Sequence, residues 1–111
     1  MKLELQENMY IRTNDGKITK FIKYDEKDKN ELVTEYYKYS TIWIKDVVKA
    51  SFDLIDILEQ GDYVNGMKVL EIDEEKDLYC DSEYYCGSFD KDEIYSIVTK
   101  EQFESMSYKV D

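Results

Sequence analysis

Met9-Tyr10-Ile11-Arg12-Thr13-Asn14-Asp15-Gly16-Lys17-Ile18-Thr19-Lys20-Phe21-Ile22-Lys23-Tyr24 reads as strand, tight turn, strand, and it sets the fold class. The alternation begins upstream: Leu3, Leu5, Met9 and Ile11 are apolar, with Lys2, Glu4 and Gln6 between them. That is the period of a half-buried strand, predicted over residues 2–11. Asn14-Asp15-Gly16 is a turn signal, and Asp-Gly between β-like runs predicts a type I′ hairpin. The second strand, Lys17 to Tyr24, puts Ile18, Ile22 and Tyr24 on one parity. Phe21 breaks that parity, which fits a strand that is twisted or covered on both faces.

Outward from this hairpin the same character continues. Asp25 to Asn30 is a polar, charge-mixed loop. Tyr36-Tyr37-Lys38-Tyr39 and Thr41-Ile42-Trp43-Ile44 read as strand, with Ser40 as a break or bulge. Residues 46–60 differ: Ser51 is placed to cap a short helix starting near Phe52, with Leu54, Ile55 and Leu58 as its apolar stripe and Gly61 as its stop. Asn65-Gly66 is a turn, and residues 67–72 alternate. Asp73 to Lys76 is an acidic turn, and Leu78–Ser82 with Tyr84–Phe89 form a second hairpin or two short strands. Glu93 to Val98 is a strand. Thr99 and Gln102 form a capping box for a helix over 100–105, and Met106, Tyr108 and Val110 alternate as a terminal strand.

About seven short strands and two short helices predict a mainly β (α+β) protein, one domain over 1–111. The architecture expected is a small SH3-like barrel or a strongly bent antiparallel sheet with one or two short helices. An α+β roll with the 52–60 helix on one face is the alternative. Composition agrees: among 111 residues there are 11 Tyr, 4 Phe and 1 Trp, and Ala50 is the single alanine. Aromatic residues suit pleated surfaces and alanine suits helices.

There is no histidine and no proline. Ser–His and Cys–His nucleophilic sites are therefore excluded, and the commonest metal ligand is missing. Cys80 and Cys86 cannot complete a four-ligand zinc site, and a disulfide across a hairpin depends on geometry. Met1 to Glu7 lacks the apolar run of a signal peptide, and no stretch approaches the length of a membrane span. The expectation is a cytoplasmic protein with reduced thiols, no membrane association, no cofactor and no metal. Gly61 and Gly66 lack the Lys-Ser/Thr that a P-loop needs. Carboxylate pairs in a chain with 26 acids carry no catalytic signal, and an enzyme is not expected.

Charge is unevenly distributed. Residues 1–50 carry 10 Lys/Arg and 9 Asp/Glu, whereas residues 51–111 carry 5 and 17, giving +1 and −12 within the net −11. The densest stretch runs from Asp73 to Glu93. Its candidate partner-binding residues are Asp73, Glu74, Glu75, Asp77, Tyr79, Asp81, Glu83, Tyr84, Tyr85, Asp90, Asp92 and Glu93. Carboxylates here would repel nucleic acid and attract a basic surface, with tyrosines as anchors. An EF-hand is ruled out, because the sixth position counted from Asp73 is Leu78 where a glycine is required. Arg12, Lys17, Lys20, Lys23, Lys27 and Lys29, beside Tyr10, Phe21 and Tyr24, form a basic run of the kind that binds nucleic acid, but the field of the whole chain opposes direct binding.

Ile57-Leu58-Glu59-Gln60-Gly61-Asp62-Tyr63-Val64-Asn65-Gly66-Met67-Lys68-Val69 and Ile97-Val98-Thr99-Lys100-Glu101-Gln102-Phe103-Glu104, with the strand–Asn-Asp-Gly–strand of Met9 to Ile22, resemble segments of small prophage and mobile-element proteins of low-GC Gram-positive bacteria. The resemblance covers roughly the first 25 residues and the last 55; residues 26–50 and the Cys80–Cys86 loop do not share it. It carries over no catalytic residues. It implies a phage accessory protein, and for a small acidic one an inhibitor of host defence, including the anti-CRISPR kind. The expected partner is then a host protein with a basic nucleic-acid-binding surface, such as a CRISPR effector. Two alternatives stand beside it: a structural, self-assembling phage accessory protein, and a small-ligand-sequestering barrel with a pocket lined by Tyr36, Tyr37, Tyr39 and Trp43.

Overall fold

A computed structural model describes residues 4–35, 42–81 and 91–106, with only the backbone of Lys91. The protein is mainly β; its described residues form two antiparallel sheets and one short α-helix. The chain forms two compact units, Met1–Ile57 and Leu58–Asp111.

The first unit holds β1 (Tyr10–Thr13), β2 (Ile18–Tyr24), β3 (Glu31–Thr34), β4 (Ile42–Trp43) and β5 (Val47–Ser51) in the order β4-β3-β2-β1-β5. The two edge strands are joined by a single 3-10 turn, Ile44–Asp46. A flat five-stranded sheet would hold its edges ~19 Å apart, and the four Cα steps from Trp43 to Val47 span at most ~14 Å. The sheet therefore curls strongly, in keeping with the strongly bent antiparallel sheet expected from strands joined by tight turns. Leu5, Ile11, Phe21, Leu32, Ile42 and Val47 form the core inside the curl.

The pairing explains why Phe21 breaks the parity of β2. Phe21 lies opposite Thr34, Lys23 opposite Val33 and Tyr24 opposite Leu32, so a bulge at Ile22 puts two residues of β2 against one of β3. Phe21 and Tyr24 then face the same side and their rings meet edge to face at 5.0 Å, while Ile22 turns outward.

Of the strand expected over 2–11, the described residues form only its end, with β1 beginning at Tyr10. Residues 4–9 are irregular, and Asn8 sits at φ 74 in a turn closed by Met9 N–H to the Gln6 carbonyl. The Asn14-Asp15-Gly16 loop is not type I′, which needs positive φ at both Asp15 and Gly16. Only Gly16 has it (φ 86), and its N–H donates to the Thr13 carbonyl, giving a type I turn followed by a left-handed glycine. The helix expected over 52–60 is a single 3-10 turn, Leu54–Ile57. Ile55 and Ile57 are both buried, and an α-helix would point residues two apart in directions about 200° different. Ser51 ends β5 and does not cap this turn: Asp53 does, its Oδ1 accepting the Ile55 N–H (3.1 Å), while Ser51 Oγ accepts the Asp53 N–H (3.0 Å) and donates to Asp56 Oδ2 (2.7 Å).

The second unit holds β6 (Tyr63–Val64), β7 (Met67–Ile72), β8 (Leu78–Cys80) and β9 (Ile97–Val98) in the order β8-β7-β6-β9, followed by α1 (Lys100–Met106). Leu58, Val64, Val69, Leu78 and Cys80 are its buried apolar residues among those described. Asn65 (φ 52) and Gly66 (φ 81) make the type I′ hairpin between β6 and β7. Gly61 (φ 97) takes the third place of a turn closed by Asp62 N–H to the Glu59 carbonyl, as a type II turn requires. The capping box is formed in both directions: Gln102 N–H donates to Thr99 Oγ1 (3.3 Å) and Thr99 N–H to Gln102 Oε1 (3.1 Å). The strand expected over 93–98 is confined to Ile97–Val98, because a 3-10 turn occupies Lys91–Glu93 and the N–H groups of Tyr95 and Ser96 are taken by the Asn65 side chain. Met106 belongs to α1. The readings of Tyr36–Thr41, Ser82–Phe89, Tyr108 and Val110 lie outside the described residues.

Candidate functional site

The acidic hairpin is built by β7, β8 and the loop between them. Asp73 organises it. The Asp73 N–H donates to the Asp77 carbonyl (3.1 Å) and the Lys76 N–H to the Asp73 carbonyl (3.0 Å). Asp73 Oδ1 accepts the N–H groups of Glu75 and Asp77, both at 2.9 Å, and Oδ2 accepts the Tyr79 hydroxyl at 3.0 Å. These donors hold the Asp73 carboxyl below its ordinary 3.8, chiefly through the Asp77 N–H. The Tyr79 phenol is pushed above its ordinary 10.0, first by the Asp73 hydrogen bond and then by the charges of Asp73, Asp77 and Glu71. Glu71, which is not among the candidates read from the sequence, lies opposite Tyr79 because of the register of β8 on β7.

The loop thus divides the candidates by role. Asp73 is spent on the loop itself and on Tyr79. Glu74 and Glu75 are exposed at the tip, as the two central residues of the turn closed by the Lys76 N–H on the Asp73 carbonyl. Asp77 is half-buried, and Tyr79 and Asp81 are exposed on β8 and just after it. Asp81 lies at the far end of the hairpin, its N–H donating to the Lys68 carbonyl (2.9 Å). Asp92 and Glu93 are exposed in the 3-10 turn Lys91–Glu93, which is fastened to the β6–β7 turn: Asn65 Nδ2 donates to the Glu93 carbonyl (2.8 Å), and Asn65 Oδ1 accepts from Tyr95 and Ser96. The Asp73–Asp77 loop and the Asp92–Glu93 pair are therefore at opposite ends of β7, ~20 Å apart for a six-residue strand. Glu83, Tyr84, Tyr85 and Asp90 lie outside the described residues.

The basic run does not form a patch. Arg12 is fully buried, with Nη1 donating to the Ile57 carbonyl at 3.1 Å. Lys17 pairs with Asp15 (3.4 Å), Lys23 with Glu26 (3.7 Å), and Lys20 sits over the Tyr10 ring. Cys80 is a buried free thiol, and burial pushes it above the ordinary thiol range, away from the reactive thiolate. Among the described residues no cluster of Cys, Asp and Glu is arranged to hold a metal ion, and no helix is long and apolar enough to cross a membrane.

Sequence reading missed one buried polar centre. Asp62 is fully buried, and its Oδ2 accepts the Glu59 N–H (2.7 Å) while Oδ1 accepts the Lys100 N–H (2.9 Å). Lys100 Nζ returns to Glu59 Oε1 at 2.6 Å. The carboxylate thereby ties the Glu59–Asp62 turn to the first residue of α1, and nothing in the local sequence announces a contact across 38 residues. No protein family, curated protein or solved structure matches the chain.

Proposed function

We propose that this protein is a non-catalytic binding protein that covers a basic nucleic-acid-binding surface of a partner protein in the bacterial cytoplasm. The observation that carries this reading is the Asp73 loop. It presents Glu74 and Glu75 on a backbone already fixed by three side-chain hydrogen bonds, so little conformational entropy is lost when they meet a cation. Fixed carboxylates stand in for phosphates, and the surplus negative charge of residues 51–111 steers a basic partner towards them. The resemblance to prophage proteins supports a role as an inhibitor of host defence, with a CRISPR effector as the partner it implies.

The test compares the parent with a Glu74→Ser, Glu75→Ser double variant, which spares the structural Asp73. Both are used to capture proteins from a bacterial host lysate, and the association rate of the captured partner is then measured against salt. A partner with a basic surface, bound about tenfold more slowly by the variant at low salt and with a shallower salt dependence, supports the reading. Equal association rates for parent and variant at low salt would sink it.

A further inference from the structure

We propose that a cavity beside Trp43 binds a small planar aromatic molecule that carries an anionic group. The cavity has a volume of about 350 Å³, and the described residues that line it are Asn30, Trp43, Ile44 and Lys45. That is the lower end of the range for small-molecule sites, suited to one or two fused rings. It lies in the first unit and owes nothing to the acidic hairpin.

The walls supply three complementary chemistries. The indole of Trp43 is 37 % exposed on an edge strand, a surface on which a flat ring stacks. Lys45 makes no ion pair among the described residues, although the chain carries 26 acids. The Asn30 side-chain amide likewise has no hydrogen bond there, leaving a donor and an acceptor for a ring edge. Among the described residues no carboxylate lines the cavity. A neutral ring would leave the ammonium unused, and a bare anion would leave the indole unused; a ring bearing an anion engages both.

The site is also held in place before any ligand arrives. The Ile44 N–H donates to the Asn30 carbonyl (2.8 Å), joining the loop before β3 to the turn after β4. Asn30 N–H donates to Asp28 Oδ1 (2.9 Å), Trp43 pairs with Glu31 in the ladder, and the Asp46 carbonyl accepts the Asn14 N–H (2.8 Å).

Trp43 is the single tryptophan, so one indole N–H resonance reports on this cavity alone. Adenosine monophosphate, adenosine, ribose 5-phosphate and 2-naphthoate are titrated into the intact protein up to ~10 mM, a range set by millimolar affinity. The expected result is a saturable shift with adenosine monophosphate, about tenfold weaker binding of adenosine, and none of ribose 5-phosphate, since a charge-assisted contact is worth about a decade. Lys45→Gln should bring adenosine monophosphate and adenosine to equal affinity. A shift with 2-naphthoate and not with adenosine monophosphate keeps the proposal and assigns a carboxylate as the anion. An indole resonance that neither anionic aromatic moves, or equal affinity of the parent for adenosine and its monophosphate, overturns it.

Discussion

Gly16 and Lys76 occupy the same position in two hairpins of one construction. In each, the N–H of this residue donates at 3.0 Å to the carbonyl three residues back, Thr13 in one and Asp73 in the other. In each, the side-chain oxygen of that earlier residue accepts the N–H four residues on: Lys17 N–H to Thr13 Oγ1 (3.0 Å), Asp77 N–H to Asp73 Oδ1 (2.9 Å). Both positions have positive φ, 86 for Gly16 and 67 for Lys76. A Cβ in that region costs roughly 1–2 kcal/mol, which glycine avoids and lysine does not.

Lys76→Gly should therefore stabilise the second unit by about 0.5–1 kcal/mol, the relief of strain being partly offset by the larger entropy of glycine in the unfolded chain. Gly16→Lys should destabilise by a similar or larger amount. Urea unfolding at constant m-value checks both. A lower midpoint for Lys76→Gly would mean that the lysine side chain outweighs its backbone strain.

The Asp62 clasp leads to a larger effect. Asp62→Ala leaves the N–H groups of Glu59 and Lys100 without their acceptor at a buried site, and the expected loss is about 2–4 kcal/mol. Hydrogen exchange should quicken first at the amides of Glu59 and Lys100. Unchanged protection at both amides would show that the carboxylate is not what holds the turn to α1.

Arg12 permits a second stability test. Arg12→Ala removes a fully buried side chain and its bond to the Ile57 carbonyl, with an expected loss of about 3 kcal/mol or more. Arg12→Met should recover part of this, since it refills the volume of the stem without the charge. An Arg12→Ala midpoint equal to that of the parent would place this side chain at the surface.

The Asp73–Tyr79 hydrogen bond makes the hairpin sensitive to pH at both extremes. The folded Asp73 carboxyl titrates below its ordinary 3.8, so its contribution is complete above that value and is lost as pH falls through the folded pKa. Tyr79 titrates above 10.0, so its contribution is complete below that value and is lost as pH rises through the folded pKa. In a carboxyl NMR titration, Tyr79→Phe should raise the Asp73 pKa only part of the way to 3.8, because the Asp77 N–H is the larger cause. A full return to 3.8 would assign the whole effect to the phenol.

Much of the fold is legible because its causes are local. Alternation over two residues marks the strands, and a positive φ at Gly61, Asn65 and Gly66 follows from residue type and nearest neighbours. The Thr99–Gln102 box acts over three residues and forms as read. The acidic character of residues 51–111 is likewise a property of composition alone.

Where a residue's partner lies far along the chain, only tertiary structure decided its place. Arg12 looks like a member of a basic run until its guanidinium meets the Ile57 carbonyl 45 residues on. Asp62 looks like one acid among many until it accepts the Lys100 N–H. The stretch around Leu54–Ile57 forms one 3-10 turn because the core takes both Ile55 and Ile57, which no helical face can supply together. The acids between Asp73 and Glu93 are close in sequence, yet the length of β7 separates the Asp73 loop from Asp92 and Glu93. Sequence determines what each short segment prefers; burial and register select among those preferences, because a contact across tens of residues exists only once the chain has closed around its core.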